Sequence, residues 1–257
     1  MKKKYFLLLL VTVFIITAGC GLDEDYPEIY PVTDIDMSFN NFATVRINNS
    51  NSSTPFTNFI IYYRIYISDE YIDPTTDTVS KFSTINSTLA SNYNTFFKYI
   101  DSTDPVTEDM NGLFTRQNYK ELCFTDNNGM EVKSEDILTS SVFNRNLEFD
   151  FRYINKPPKM TIMNGTSIEG VYTLLRSDEI INPLPEDRLF INSNDLWDPD
   201  NLPDNKDDVV NKLAMSKTER YTYAAMFIVA KGNNAATISY AYSAPALIHV
   251  FYLPEDN

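Results

Sequence analysis

The stretch 59–67, FIIYYRIYI, carries the strongest structural signal in the chain. Its odd positions, from Phe59 to Ile67, are aliphatic or aromatic, and its even positions place Tyr62, Arg64 and Tyr66 together on the other side. Alternation with a period of two in β-branched and aromatic residues predicts a β-strand, and nine residues make a long one. We expect one face of this strand to enter a core.

Similar but shorter patterns extend in both directions. They predict further strands at 42–47, 119–125, 147–154, 160–163, 170–175, 221–230 and 246–253. Turns are predicted at 127–129 and 231–234, a strand or extended loop at 236–242, and a short helix near 207–213 in a proline-containing loop. The sequence therefore predicts a mainly β fold.

One segment departs from this pattern and has the period of a helix. Between residues 83 and 101 the apolar side chains are spaced by three and four, at Ile85, Leu89, Tyr93, Phe96, Phe97 and Ile100. Such a stripe places the side chains on one side of a helix, which we expect to pack against the sheet. The alternative is a helix that binds a partner.

Three segments resemble strands C, F and G of a fibronectin type III or immunoglobulin-like sandwich. They are the 60–66 strand, the stretch YTYAAMFIVA at 221–230, and the Ser243-Ala244-Pro245 step into the last strand. The resemblance covers residues 42–67 and 219–253 and implies an antiparallel β-sandwich. The residues between these blocks, about 68–218, are then expected to form a large α+β insertion.

The N-terminus has the three parts of a secretory signal: three lysines, the apolar run 5–16, and small residues before Cys20. It resembles a bacterial lipoprotein signal peptide. The resemblance implies cleavage between Gly19 and Cys20, and a diacylglyceryl group on the sulfur of Cys20. Simple secretion is an alternative, and so is a membrane span, although about 20 apolar residues are needed to cross a bilayer.

The composition argues against a nucleic-acid partner and, once Cys20 is acylated, leaves no second thiol for a disulfide bond. The net charge is −14, and removal of residues 1–19 would make the chain more acidic, so we expect no nucleic-acid partner. Residues 20–40, with Asp23-Glu24-Asp25, Pro27 and Pro31, are predicted to be an acidic tether before a domain at 41–257. With Cys20 acylated, Cys123 is a lone thiol, which we expect to be buried.

Few residues suggest chemistry. We expect the single histidine, His249, to be packed and hydrogen-bonded on a strand face shared with Leu247 and Phe251, rather than catalytic. The aspartates of the 195–208 loop are candidates for calcium, but the loop lacks the glycine and glutamate of an EF-hand. The sequence predicts no cofactor, no catalytic residue and no other metal site.

The remaining candidate is the aromatic face formed by Tyr62, Arg64 and Tyr66. Tyrosine and arginine often anchor interfaces, so this face is a candidate platform for a protein or glycan. The alternative is that the 85–100 helix covers it.

The stretches 175–177, 185–190 and 250–254 also resemble uncharacterised spirochaetal lipoproteins, a resemblance that implies no activity. Together, these features predict a non-enzymatic, lipid-anchored envelope protein that contacts protein or glycan. We expect the outer membrane, at the periplasmic face or the cell surface. A structural or assembly lipoprotein of the periplasmic face without a ligand is the alternative, and a hydrolase using the acidic loop is less favoured.

Overall fold

The computed structural model describes residues 29–39, 41–68, 119–126, 128–152, 156–176, 209–211, 221–234, 239–243 and 245–253. Within them the chain is mainly β, as predicted, and its strands form two sheets that fit a β-sandwich in general. The strands are β1 Asp34–Phe39, β2 Phe42–Ile47, β3 Phe56–Ser68, β4 Lys120–Glu121, β5 Cys123–Thr125, β6 Glu131–Lys133, β7 Arg145–Asp150, β8 Lys159–Asn164, β9 Ser167–Leu175, β10 Val209–Asn211, β11 Tyr221–Asn234, β12 Ser239–Tyr242 and β13 Ala246–Leu253. A short helix, α1 Ser134–Ile137, follows β6 directly.

The first sheet has, among the described residues, seven strands in the order β1-β2-β7-β8-β9-β5-β6, all antiparallel to their neighbours. Five of these strands come from residues 123–175, which the sequence assigned to an insertion over 68–218. They are five of the seven strands of the first sheet, so residues 123–175 contribute directly to the sandwich.

The second sheet is built around β3 and β11, which pair from Phe56↔Gly232 to Ser68↔Tyr221. The edge of β11 away from β3 pairs with β13 and, further along, with β12. The edge of β3 away from β11 pairs with β4 and, in parallel, with β10. The 60–66 strand therefore lies beside the 221–230 strand, which in turn lies beside the 246–253 strand, as the resemblance implies; the fibronectin type of the sandwich stays a prediction. β11 reaches Asn234, so the turn predicted at 231–234 is wrong, because Lys231–Asn234 pairs with β12. Val209–Asn211 is a strand on β3 and not part of a helix.

The core lies between the sheets and is almost wholly apolar. Both sheets contribute fully buried rings, and the Phe151 ring stacks on that of Phe251 with centroids 4.0 Å apart. The buried set includes Val45, Leu147, Phe149, Phe59, Ile61, Tyr63, Met226, Ile228 and Phe251. Removal of this much apolar surface from water is the main favourable term in folding.

A second apolar cluster lies on the opposite, outer face of the second sheet. Its members alternate along β3, β11 and β13 with the core residues: Ile60, Tyr62, Tyr223, Ala225, Phe227, Val229 and Val250. Among the described residues outside these strands, Tyr119 joins them, with its ring edge-on to Phe227 at 5.3 Å. The predicted helix at 83–101 lies outside the described residues.

The outer edge of β3 is covered by three separate segments. β4 pairs with Tyr62 and Tyr63, and β10 pairs with residues 65–67. Nearer the start of β3, the Phe59 amide donates to the Leu138 carbonyl at 2.7 Å, and the Leu122 amide donates to the Ile61 carbonyl at 2.8 Å. Leu122 lies between β4 and β5, where the chain passes from the second sheet to the first.

Two asparagine side chains tie the N-terminal part of the domain to the rest. The Asn51 amide group accepts from the Tyr30 N–H and donates to the Tyr30 carbonyl, both at 2.8 Å. Asn41 makes the same pair of bonds with the backbone of Tyr252, also at 2.8 Å. Each asparagine thus pairs with a backbone as a neighbouring strand would, one at each end of the sandwich.

The domain begins earlier than the sequence suggested. Ile29 and Val32 are buried in the core between the sheets, and β1 pairs with β2. The second half of the 20–40 segment is therefore folded, because two apolar side chains and the Asn51 bonds hold it. Residues 20–28 lie outside the described part of the chain.

Candidate functional site

Polar side chains gather at one end of the outer face, where β3, β4, α1, β11 and β12 meet. We call this group, consisting of Asn58, Glu121, Ser134, Glu135 and Lys231, the Glu121–Lys231 cluster. Strand register places its members together, because β3 pairs with β4 at Tyr62↔Glu121 and with β11 at Asn58↔Lys231. Lys231 in turn lies opposite Tyr242 of β12.

Ser134 is the centre of one half of the cluster. Its side chain is fully buried, and its hydroxyl accepts from the backbone N–H of Ile61 at 3.1 Å. The same hydroxyl donates to Oε1 of Glu121 at 3.1 Å. Ser134 therefore satisfies a backbone group on the edge of β3 and positions a carboxylate at the same time.

Lys231 and Glu135 form the other half. Nζ of Lys231 lies 2.9 Å from Oε2 of Glu135, and Nδ2 of Asn58 donates to the Glu135 carbonyl at 3.1 Å. The same ammonium group lies 4.3 Å from the centre of the Tyr240 ring, which is a cation–π geometry. This half fastens α1 to the β3–β11 pair.

The two carboxylates have pKa values shifted in opposite directions. Burial, followed by the charge of Glu135, raises the pKa of Glu121. The hydrogen bond from Lys231 is the largest of the causes that lower the pKa of Glu135. Burial acts against the charged form of Lys231, but the hydrogen bond and charge of Glu135 outweigh it and raise the pKa of Lys231.

Opposite shifts in neighbouring carboxylates are the pattern of a general acid and its partner base. In this protein, however, each carboxylate already bonds to a neighbour, Glu121 to Ser134 and Glu135 to Lys231. These contacts hold α1 against the edge of β3, so the arrangement supports a structural role. Sequence reasoning missed this cluster because its members lie far apart in the chain and form no motif.

His249 lies on the inner face of β13, opposite Met226, at a bulge that shifts the β11–β13 register. The side chain is 6% exposed, and its ring is edge-on to Phe251 at 4.9 Å. Among the described residues, neither imidazole nitrogen has a hydrogen-bond partner. Burial lowers the pKa of His249 to about 4, so the ring is neutral at neutral pH.

The prediction for His249 was therefore correct on packing, whereas the predicted hydrogen bond has no counterpart among the described residues. The bulge also separates the side chains expected on one face. Phe251 lies in the inner core with His249, while Leu247 packs against the outer cluster. An extra residue in one strand of an antiparallel pair changes the face to which the following side chains point.

The predicted platform is only partly within the described structure. Tyr62 is buried in the outer cluster, Arg64 is half-buried, and the side chain of Tyr66 lies outside the described part. Burial, followed by the charge of Glu121, raises the pKa of Tyr62, so its phenol is neutral. The Tyr62 side chain is buried and not exposed to solvent. A role of this face in binding stays a prediction.

Of the other predicted sites, one lies within the described residues and the rest lie outside them. Cys123 is buried, as expected. Gly19, Cys20 and the 195–208 loop lie outside the described residues. Within the described ranges, no three carboxylate, histidine or cysteine side chains are grouped as they would be around a metal ion.

In the part of the chain that the structure covers, no helix is both long and apolar enough to span a membrane. No known family model matches this sequence, and neither the curated proteins nor the solved structures contain a significant match.

Proposed function

We propose that this chain is a lipid-anchored protein of the bacterial cell envelope, held in the outer membrane through acylated Cys20. Its sandwich, of a fibronectin type III or immunoglobulin-like type, makes non-enzymatic contacts with protein or glycan. The observation that carries the proposal is the place where the fold begins. The chain is fastened into the sandwich at Ile29 and Tyr30, nine residues after Cys20, which leaves a short acidic spacer between lipid and domain.

The Glu121–Lys231 cluster supports the non-enzymatic part of the proposal. Its carboxylates bond to Ser134 and Lys231, and removal of either bond would leave a partly buried polar group unsatisfied. The burial of Tyr62 favours the alternative, a structural or assembly lipoprotein of the periplasmic face without a ligand, over a tyrosine platform.

The anchor is tested by growing cells that express the full chain with an alkyne analogue of palmitate and measuring the label on the protein. We expect labelling of the unaltered chain and of Cys123→Ser, the matched control at the other cysteine. We expect none in Cys20→Ser, since the acylated sulfur is gone. A label that persists in Cys20→Ser would contradict the proposal.

Protease treatment of intact cells then separates the two faces of the membrane. Digestion of the domain in intact cells supports contacts at the cell surface. Full protection, with digestion only after the outer membrane is opened, supports the periplasmic alternative.

A further inference from the structure

Within the described part of the chain, four large apolar or aromatic side chains are strongly exposed. They are Tyr30 at 40%, Tyr240 at 52%, Met130 at 64% and Ile168 at 65%. Single exposed residues of this kind are normal on a protein surface. Two of these four, however, lie beside the point where the chain enters the domain.

Tyr30 and Tyr240 are connected through the contact between Ile29 and Gly232. A β-carbon at position 232 would lie 2.6 Å from Cδ1 of Ile29 and 2.7 Å from the Pro55 carbonyl oxygen, so only glycine fits there. Tyr30 follows Ile29 in the chain. Tyr240 lies opposite Asn233, the neighbour of Gly232. The two tyrosines therefore flank the point at which the N-terminal segment crosses the end of β11.

The length of the spacer limits how far this end can lie from the membrane. Ile29 is nine positions after Cys20, and even a fully extended chain of that length spans only about 30 Å. If Cys20 is acylated, as proposed above, the end with Tyr30 and Tyr240 is the one nearest the bilayer.

On this basis, and resting on the proposed lipid anchor, we infer that this end of the sandwich lies against the bilayer surface, with Tyr30 and Tyr240 among the lipid headgroups. Tyrosine suits that depth because its ring is apolar and its hydroxyl is polar. The nearby carboxylate of Glu135 is neutralised by Lys231, whose ammonium group also lies over the Tyr240 ring. The net charge of −14 disfavours an anionic surface, so the partner is a zwitterionic bilayer.

Tyr252 provides an internal control. It is partly buried on the outer face, and its backbone bonds to Asn41 at the end of the sandwich opposite to Asn51 and Tyr30. Strand register places the β8–β9 turn, beside Ile168, at the same end as Tyr30, so Ile168 does not serve as a control. We expect Tyr252 to stay in water when Tyr30 and Tyr240 touch lipid.

The test uses the native side chains. The lipidated full chain is placed on phosphatidylcholine vesicles and exposed briefly to hydroxyl radicals, and oxidation of each residue is measured by mass spectrometry. The same measurement on Cys20→Ser in solution is the reference. Oxidation of Tyr30 and Tyr240 should fall by about threefold or more on vesicles, as expected for side chains at headgroup depth, while that of Tyr252 should not change.

Equal oxidation of Tyr30 and Tyr240 on vesicles and in solution, with the protein still vesicle-bound, would overturn this inference and leave the lipid anchor intact. Equal protection of Tyr252 would also overturn it, because the orientation would be wrong. Protection in cells but not on vesicles would assign the surface to a protein partner instead. Failure of the lipidated chain to float with vesicles would remove the anchor and the inference together.

Discussion

The inner and outer faces of the second sheet are both buried, but they treat polar groups differently. On the inner face, His249 lies edge-on to the Phe251 ring and, within the described structure, has no hydrogen-bond partner. At one end of the outer face, Glu121 bonds to Ser134, and Glu135 bonds to Lys231. The inner face thus buries His249 in its neutral form, whereas the outer face holds the charged side chains of Glu135 and Lys231 as an ion pair.

The largest effect should come from the inner packing. Phe251→Ala removes a fully buried ring that stacks on Phe151, so it should lower the free energy of unfolding by about 3–5 kcal/mol. Tyr252→Ala, the next residue on the same strand, is the matched control: its side chain is partly buried on the outer face and should cost less. Urea unfolding of both variants measures the difference. Equal losses would mean that the inner face is not the dominant core.

An intermediate effect should follow from pH. Burial lowers the pKa of His249 from 6.5 to about 4, so the unfolded imidazole takes up a proton at a higher pH than the folded one. Stability from this residue is therefore complete above pH 6.5 and lost as the pH falls to 4. The loss should be about 3 kcal/mol, at 1.36 kcal/mol per pKa unit.

This pH effect is isolated by comparison with His249→Leu, which cannot titrate there. Carboxylates also titrate in this range, and the raised pKa of Glu121 acts in the opposite direction by favouring the folded state at low pH. The difference in unfolding free energy between the two proteins, measured from pH 7 to 4, cancels those terms. The same pH dependence in both proteins would show that protonation of His249 is not penalised by the fold.

A smaller effect is expected in the outer network. Ser134→Ala leaves the buried Ile61 N–H without its acceptor and Glu121 without its donor, which should cost about 1–3 kcal/mol. Ser141→Ala is the control, since that hydroxyl is exposed and bonds only to Thr139 among the described side chains, so we expect a change within about 0.5 kcal/mol. Thermal unfolding of both variants checks this. If Ser134→Ala were as mild as its control, the network would contribute nothing to holding α1.

Local patterns predicted much of this fold. The alternation at 59–67 predicted β3 and the separation of its two faces, and the strands 42–47 and 246–253 have the predicted bounds. These residues succeed because period two and β-branched side chains depend only on neighbours in sequence. The pairing of β3 with β11 and of β11 with β13 also followed, from their resemblance to a known three-strand arrangement.

The incorrect predictions concern segments whose structure depends on residues far away in the sequence. Lys231–Asn234 contains glycine and asparagine and reads as a turn, yet pairing with β12 makes it strand. Val209–Asn211 is too short to show a period and becomes a strand because it lies along β3. The segment after Pro27 reads as a spacer, but Asn51, twenty-one residues beyond Tyr30, holds it in place.

The candidate site was harder to predict for the same reason. Glu121, Ser134 and Lys231 are brought together by the register of four elements, and no spacing in the sequence signals it. The shift at the His249 bulge is likewise set by the pairing with β11, not by the residues of β13 alone.

The covered edge of β3 has a consequence for the solubility of the protein. The run FIIYYRIYI combines β-branched and aromatic residues with a single charge and no proline, which is the composition of segments that stack into amyloid. In the folded protein, β11 occupies one edge of this strand, and β4, the Ser134–Leu138 segment and β10 close the other. An unpaired strand edge can form hydrogen bonds with another copy of the chain, so these short segments protect β3 from self-association. Loosening them would expose β3 before the rest of the domain unfolds.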